Sequence, residues 1–567
     1  MSMDSQEKMD ISVENSAADQ SVPAPASPTI EQPTLEERKD FTSEIFKIEI
    51  KNLARFGFGE IKKFLKKKMQ LDPVKIKAMP RSKEFGHHAF LCFRSEKETL
   101  EAIKKLDGAI WKGQTIKALP AKAIMDPMQK KRLEKENGED VQTVRKTCLE
   151  ATAPLAHLTY DEQLAIKEVE LKKILEDYRK QILKVNPKLG LLKDIGIWNG
   201  FERAPLINGY RNKSEFTVGK NVDGEKVVGF RLGSYSDGSV EVGDISDLPH
   251  IPERMKLAAK LCQDFIRASP YDVFSPEFYT GVFRQISVRF SSVTDELMLV
   301  IGVHMSHIKD ELIQDVVTFF TETGGAELKA KSIYIEKIMK RQVGQKSNEY
   351  IHIHGEKYIT EIVHGLKFRI SPGSFFQVNT QSAEVLYQCA INLAATTPET
   401  TVLDICCGTG TIGLCFSKYC KEVLGVELVA EAINDARYNA TANGITNCEF
   451  FAGNCDDYIQ TLVHKATGNN ILAVVDPPRA GLHNRSVTAL RNVKGLDRFI
   501  YISCSPTSAL RNWVDLARPL SKTYKGNPFI AKCVMGVDMF PHTQHKEMII
   551  LFERIKDNAP LNDVTSN

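Results

Sequence analysis

From Thr401 onward, short apolar runs alternate with helical stretches at regular spacing: TVLDI, VLGVE, EFFAG, ILAVVD and RFIYIS are each followed by a helix-like segment. Such alternation predicts an α/β fold with a doubly wound, mostly parallel sheet, placed here over residues 363–556. Residues 196–362 instead alternate with period two, as in EFTVGKNVDGEKVVGFRLG around an Asp-Gly turn and in ISVRFSSVTDELMLVIGVHM, which predicts a β-rich central domain. Residues 122–195 are rich in Lys, Glu, Leu and Ile at helical spacing and read as a linker ending in a long helix. Between 44 and 121 strand-like and helix-like runs follow in the order βαββαβ, from KIEIKNL through AFLCF to TIKAL. Residues 1–40 carry almost no large apolar side chain and are expected to be a disordered tail, with 557–567 a short flexible end.

A chain of 567 residues implies two to four domains. Apolar residues at 42% and charged residues at 26% fit a soluble globular protein, and a formal charge of +3 means that any nucleic-acid surface must come from local clustering. No apolar run reaches membrane-spanning length and no secretory plan opens the chain, so a protein of the reducing cell interior, away from membranes, is expected. The twelve cysteines show no CxxC pair and no His at ligand spacing, which argues against a disulfide framework, a zinc site or a metal cluster.

In a doubly wound sheet, ligands sit outside the carboxyl ends of the strands, so chemistry should be sought just after each one. After the first strand comes DICCGTGTIG, where Gly408 and Gly410 allow a tight turn and close backbone approach to a ligand. The second strand ends at Glu427, a carboxylate placed to accept hydrogen bonds from a ribose diol. The fourth ends in VVDPPRAG and the fifth in ISCSP, which brings Asp476 and Cys504 over one crevice. Amino-methylating enzymes place an aromatic residue after the Pro-Pro pair, where this chain has Arg479. A cysteine beside carboxylates suits methylation of uracil at C5: a thiolate added to C6 makes C5 nucleophilic, and a base must later remove the C5 proton. Arg479 is a candidate neighbour to lower the thiol pKa, and Glu547, which opens the last apolar strand MIILF, is the candidate base. In YRNKSEF, Arg211 and Lys213 occupy alternate positions of an expected strand and are candidate phosphate contacts.

Taken in order, SFFQVN, DICCGTGTIG, VVDPPRAGL, ISCSP and FPHTQHKE resemble the signatures of the tRNA (uracil-5-)-methyltransferase family, over roughly residues 195–555. The resemblance implies a class I, Rossmann-like methyltransferase domain using S-adenosylmethionine, with Cys504 as nucleophile, Glu547 as proton acceptor, and Gln377, Glu427 and Asp476 as cofactor contacts beside Gly408. It implies a T-loop uridine of tRNA as substrate, other RNAs being further candidates, with an RNA-binding central domain, a monomeric state and, by likeness to the eukaryotic members, a place in the cytosol or nucleus. The stretch 44–121 is similar to an RNA-recognition motif, with IEIKNL and GHHAFLCF at the signature strands and Phe90 as the candidate stacking ring. Cys406 and Thr411 depart from many relatives, which carry an aromatic residue and Asn there. Two other readings stand: a cytosine-C5 RNA methyltransferase, of which some use a second cysteine where this chain has Asp-Pro-Pro, and a non-catalytic RNA-binding or RNA-folding protein.

Overall fold

The structure, a computed structural model, describes residues 46–54, 58–73, 75–79, 87–93, 95–121, 146–233, 239–275, 280–304, 307–338 and 349–556. The expected tails at 1–40 and 557–567, most of the first half of the expected linker, and Gly86 lie outside the described residues. The chain divides into two compact units, Met1–Gly138 and Glu139–Asn567.

In the first unit, strands β1 (Lys47–Leu53), β2 (Lys75–Ala78), β3 (His87–Cys92) and β6 (Lys117–Pro120) form an antiparallel sheet in the order β2-β3-β1-β6. Helices α1 (Phe58–Lys63) and α2 (Glu96–Leu106) and a small hairpin, β4 (Ile110–Trp111) with β5 (Gln114–Thr115), complete the βαββαβ order read from the sequence. Ile48, Ile50, Ala89 and Leu91 bury one sheet face against Ala102 and Leu106. Phe93 belongs to that core. On the other face Phe90 pairs in register with Glu49, and the Lys47 ammonium lies 4.8 Å from the Phe90 ring centroid.

The second unit holds two large sheets. Strands β8 (Lys213–Lys220), β9 (Lys226–Arg231), β10 (Val242–Gly243), β11 (Phe283–Ser291), β12 (Glu296–His304), β13 (Ser332–Ile338) and β14 (Glu349–Gly355) make the central sheet, in the order β10-β9-β8-β11-β12-β13-β14. After the hairpin β15 (Ile359–Val363) and β16 (Leu366–Ile370) come β17 (Thr400–Ile405), β18 (Glu422–Glu427), β19 (Cys448–Ala452), β20 (Asn470–Val475), β21 (Arg498–Ser503), β22 (Phe529–Val537) and β23 (Glu547–Arg554). With β7 (Ile197–Glu202) they form an eight-stranded sheet in the order β19-β18-β17-β20-β21-β23-β22-β7. Strands β17 to β21 are parallel and β23 is antiparallel to both neighbours, so the start of β23 lies beside the end of β21, with Ser503 opposite Met548. All six residues of β17 are buried, as expected of a strand covered on both faces.

Two boundaries differ from the sequence expectation. Helix α3 (Tyr160–Val185) is no linker: Leu171, Leu175, Tyr178 and Ile182 join the core of the eight-stranded sheet, and a capping box between Thr159 and Glu162 fixes its start. Strand β7, expected in the central domain, runs parallel to β22 at the edge of the large sheet. The central sheet is therefore inserted between the first strand of the large sheet and the rest.

Candidate active site

The turn after β17 is built on left-handed backbone at Cys406, Gly408 and Gly410, with φ of 66°, 53° and 79°. Any side chain at 410 would press on Phe450 and Ala436, at 2.9 and 3.0 Å, so glycine is required there for space as well as for φ. The N–H groups of Cys406 and Cys407 both donate to Val426 O, at 3.0 and 3.1 Å, which ties the turn to the end of β18. Asp404 accepts from the Gly413 N–H at 2.8 Å while its Oδ1 has no partner, and burial pushes its carboxyl up to about 7. Glu427 accepts from the N–H of Gly408 (3.2 Å) and of Val429 (3.0 Å), so its carboxylate is oriented at the strand end.

Asp476 follows β20, and Gln377 Nε2 donates to its Oδ2 at 3.5 Å. Burial pushes Asp476 up to about 7, the Gln377 amide opposing. Gln377 is itself held by Asn212, whose Nδ2 donates to Gln377 O (2.7 Å) and to Thr380 Oγ1 (2.8 Å). Ser374, three residues earlier, is fixed twice: its hydroxyl donates to Asp435, which is paired with Arg369, and its carbonyl accepts from the buried Arg289. Glu547 is 2% exposed, its Oε2 has no partner, and burial together with nearby Asp476 holds its carboxyl far above the usual range, against the pull of Arg479.

Cys504, after β21, is half-buried. Burial and the neighbouring Glu547 and Asp476 push its thiol up to about 11, and Arg479 only partly offsets them. The expectation that the site lowers the thiol pKa is therefore reversed in the structure. One arginine is outweighed by desolvation and two carboxyl groups, a balance set by side chains far apart in sequence.

Gln377, Gly408, Glu427, Asp476, Arg479, Cys504, Glu547 and Arg211 all line one crevice of about 1730 Å³. Of the expected RNA contacts, Arg211 faces this crevice but precedes β8 rather than lying in it; it forms an isolated bridge with Asn379, and its Nε donates to Lys213 O. Lys213 is outside the crevice lining and pairs with Glu215 at 2.6 Å. Phe90 belongs to the first unit. His542 is a scaffold group, bonded to Gln163 and Asn208, while His545 lines the crevice edge-on to Phe540.

Sequence reading missed Asn212, which sits between two charged residues that drew attention instead. It also missed the Arg369–Asp435 pair, whose members lie 66 positions apart and carry no local pattern.

The donor set suits S-adenosylmethionine. Three carboxyl groups of the crevice lining, Glu427, Asp476 and Glu547, are the counterpart of a ligand with a sulfonium and an ammonium; Glu547 has an unpartnered oxygen. Glu427 would hold the ribose diol, Gln377 and Asp476 the methionine portion, and exposed Leu428 and Val429 offer an apolar shelf for the adenine. A doubly wound sheet with a crevice at its strand ends, lined by these carboxyl groups, is the architecture of an S-adenosylmethionine-dependent methyltransferase, and the comparisons with known proteins bear out that class.

A family model described as tRNA (Uracil-5-)-methyltransferase matches residues 321–555. The chain is 39% identical to the human tRNA (uracil-5-)-methyltransferase homolog A, over 91% of this chain and 84% of that one. It is 36% identical to the human homolog B, over 71% and 83% of the two chains. The Pyrococcus abyssi tRNA (uracil-54, C5)-methyltransferase, solved with S-adenosyl-L-homocysteine, shares the fold, at 24% identity and a TM-score of 0.51 over 70% of this chain and 84% of that one. The chain belongs to the tRNA (uracil-5-)-methyltransferase family.

Proposed function

We propose that this protein methylates C5 of uridine in tRNA, its target being the T-loop uridine, through a covalent bond between Cys504 and C6 that Glu547 helps to resolve. The observation that carries the reading is the meeting of Cys504 and Glu547, from adjacent antiparallel strands, in the crevice that also holds Asp476 and Glu427. S-adenosylmethionine, when bound, supplies an electrophilic methyl on a positively charged sulfonium.

The Cys504 thiol gives its proton to solvent and adds to C6, so that the C5–C6 double bond becomes an enolate and C5 takes the methyl, the methyl–sulfur bond of the sulfonium breaking to leave a neutral thioether. The ionised Glu547 then removes the C5 proton, the C5–C6 double bond re-forms, and the Cys504–C6 bond breaks. The thiol proton returns when Cys504 is expelled, and one proton per turnover, that of C5, leaves through Glu547. A carboxylate whose pKa is raised by burial is the stronger base once ionised. Arg479 lines the same crevice and stabilises both the thiolate and the carboxylate.

The first unit fits an RNA-recognition motif: the sheet order, and Phe90 beside the Lys47 ammonium on the face away from the core, support RNA contact there. Arg211, in the crevice lining, is the better placed of the two candidate phosphate contacts of the second unit. Pro477 and Pro478 leave no second cysteine beside Asp476, which speaks against the cytosine reading. Incubation of unmodified tRNA with the protein and S-adenosylmethionine, followed by mass spectrometry of nucleosides, should yield 5-methyluridine. Methylcytidine, or no methylated nucleoside, would refute the reading.

A further inference from the structure

The segment joining β22 to β23 runs from Asp538 to Lys546, ends at Glu547, and contributes Phe540, Thr543 and His545 to the crevice wall. Four of its successive carbonyls are each taken by a different part of the fold. Met539 O accepts from Asn379 Nδ2 (3.0 Å), Phe540 O from Lys167 Nζ (2.9 Å), Pro541 O from the Tyr210 hydroxyl (3.0 Å), and His542 O from the Leu155 N–H (2.9 Å).

Lys167 does more than hold one carbonyl. Its ammonium is 2.8 Å from Asp538 Oδ1, which also accepts from the Phe540 N–H at 3.1 Å, and the two side chains are 1% and 0% exposed. One turn earlier on the same face of α3, Gln163 Oε1 accepts from the N–H of His542 at 2.7 Å, where the backbone is left-handed with φ of 69°. The helix face that is apolar at Leu171, Leu175 and Tyr178 thus turns polar where it meets this segment. A buried ion pair is a poor source of stability compared with apolar packing of the same shape, so stability alone does not account for it. What it does supply is a fixed backbone path between two strands.

We propose that Lys167, through Asp538 and Phe540 O, is a positioning residue for the elimination step: it holds the Asp538–Lys546 segment so that Glu547 meets the C5 proton. Lys167 lines no part of the crevice and so acts only through that segment. The assignment rests on the reading of Glu547 as the base. A general base displaced by about 1 Å loses on the order of 100-fold in rate, so elimination should slow while cofactor binding, which depends on other strand ends, does not.

The test uses the full chain, S-adenosylmethionine and a tRNA transcript carrying 5-tritiated uridine, in single turnover for the chemical steps and in steady state for KM and kcat. Methyl transfer and tritium release are followed separately, and covalent adduct is read on a denaturing gel. In Lys167→Met, tritium release should fall about 10- to 100-fold, adduct should accumulate, and the KM for S-adenosylmethionine should stay within about twofold. Because that variant leaves Asp538 unpaired and can fail to fold, Lys167→Met with Asp538→Asn, which buries no lone charge, is measured beside it with thermal unfolding of each. Stalled adduct in Glu547→Gln but in neither folded lysine variant would overturn the positioning role alone. No stall in Glu547→Gln would overturn the base reading and the positioning role with it. A parallel rise in KM and fall in kcat without adduct would mark Lys167 as merely structural.

Discussion

Cys504 in the ligand-free protein should react with iodoacetamide far more slowly than an ordinary thiol, and the deficit should depend on pH. With the thiol pushed up to about 11, the thiolate fraction at pH 7 is about one in ten thousand, against about three in a hundred for an unperturbed cysteine near 8.5, a ratio of roughly 300. The sign follows from the causes: burial and the carboxyl groups of Glu547 and Asp476 disfavour the anion, and Arg479, the one nearby cation, together with a backbone hydrogen bond only partly offsets them. The rate should rise about tenfold per pH unit from 7 to 9.5 without levelling. Arg479→Gln should be slower still at every pH, because the one favourable charge is gone. The assay is pulse alkylation followed by quantitative mass spectrometry of the peptide holding Cys504, since twelve cysteines are present. Restricted access would lower the whole curve without moving its plateau. A plateau near pH 8.5, or an Arg479→Gln variant that reacts faster, would refute the electrostatic account.

Cys504→Ala should abolish methyl transfer in a labelled-methyl assay while tRNA binding by filter retention survives. Glu547→Gln should accumulate an adduct stable to denaturation, since addition and methylation precede the step it blocks. Glu427→Ala removes an acceptor of charged hydrogen bonds worth about 1.5–3 kcal/mol each, so S-adenosylmethionine should bind about 10- to 100-fold more weakly by calorimetry. Asp476, at about 7 when folded and about 3.9 when unfolded, retains a proton that the unfolded chain releases between pH 4 and 7. Its contribution to stability is therefore full below about pH 4 and lost as pH rises through 7, up to about 4 kcal/mol in all. The midpoint of thermal unfolding should fall from pH 5 to 8, and Asp476→Asn should flatten that fall.

Following the strand ends was enough to find Gly408, Glu427, Asp476 and Cys504 in the sequence, because in a doubly wound sheet position along the chain already fixes position over the crevice. The glycines at 408, 410 and 413 alone would not have sufficed, since they keep a spacing that dinucleotide-binding turns also use. Glu547 was legible only once a base was sought next to a nucleophile. By contrast, α3 was read as a linker because an amphipathic helix shows the same period whether its apolar stripe meets a sheet or another helix. Strand β7 was misassigned because IWNGFE, half exposed and carrying Gly200, alternates weakly and says nothing of which sheet it joins. The thiol pKa and the clamp on Asp538–Lys546 depend on groups brought together from segments far apart in sequence, and no local pattern encodes such sums.

The place of β7 has a consequence for synthesis. Its hydrogen-bonding partner, Cys533 opposite Ile197, leaves the ribosome only after roughly 330 further residues, a wait of about 15–70 s at ordinary elongation rates. During that interval the apolar stripe of α3 has no sheet to cover, and the inserted central sheet can already close its own core. The nascent chain is thus ordered in the middle before its catalytic layer can be sealed from either end. The stretch Tyr160–Glu202 is where a holding chaperone would be needed and where truncation near the C-terminus would leave an adhesive surface.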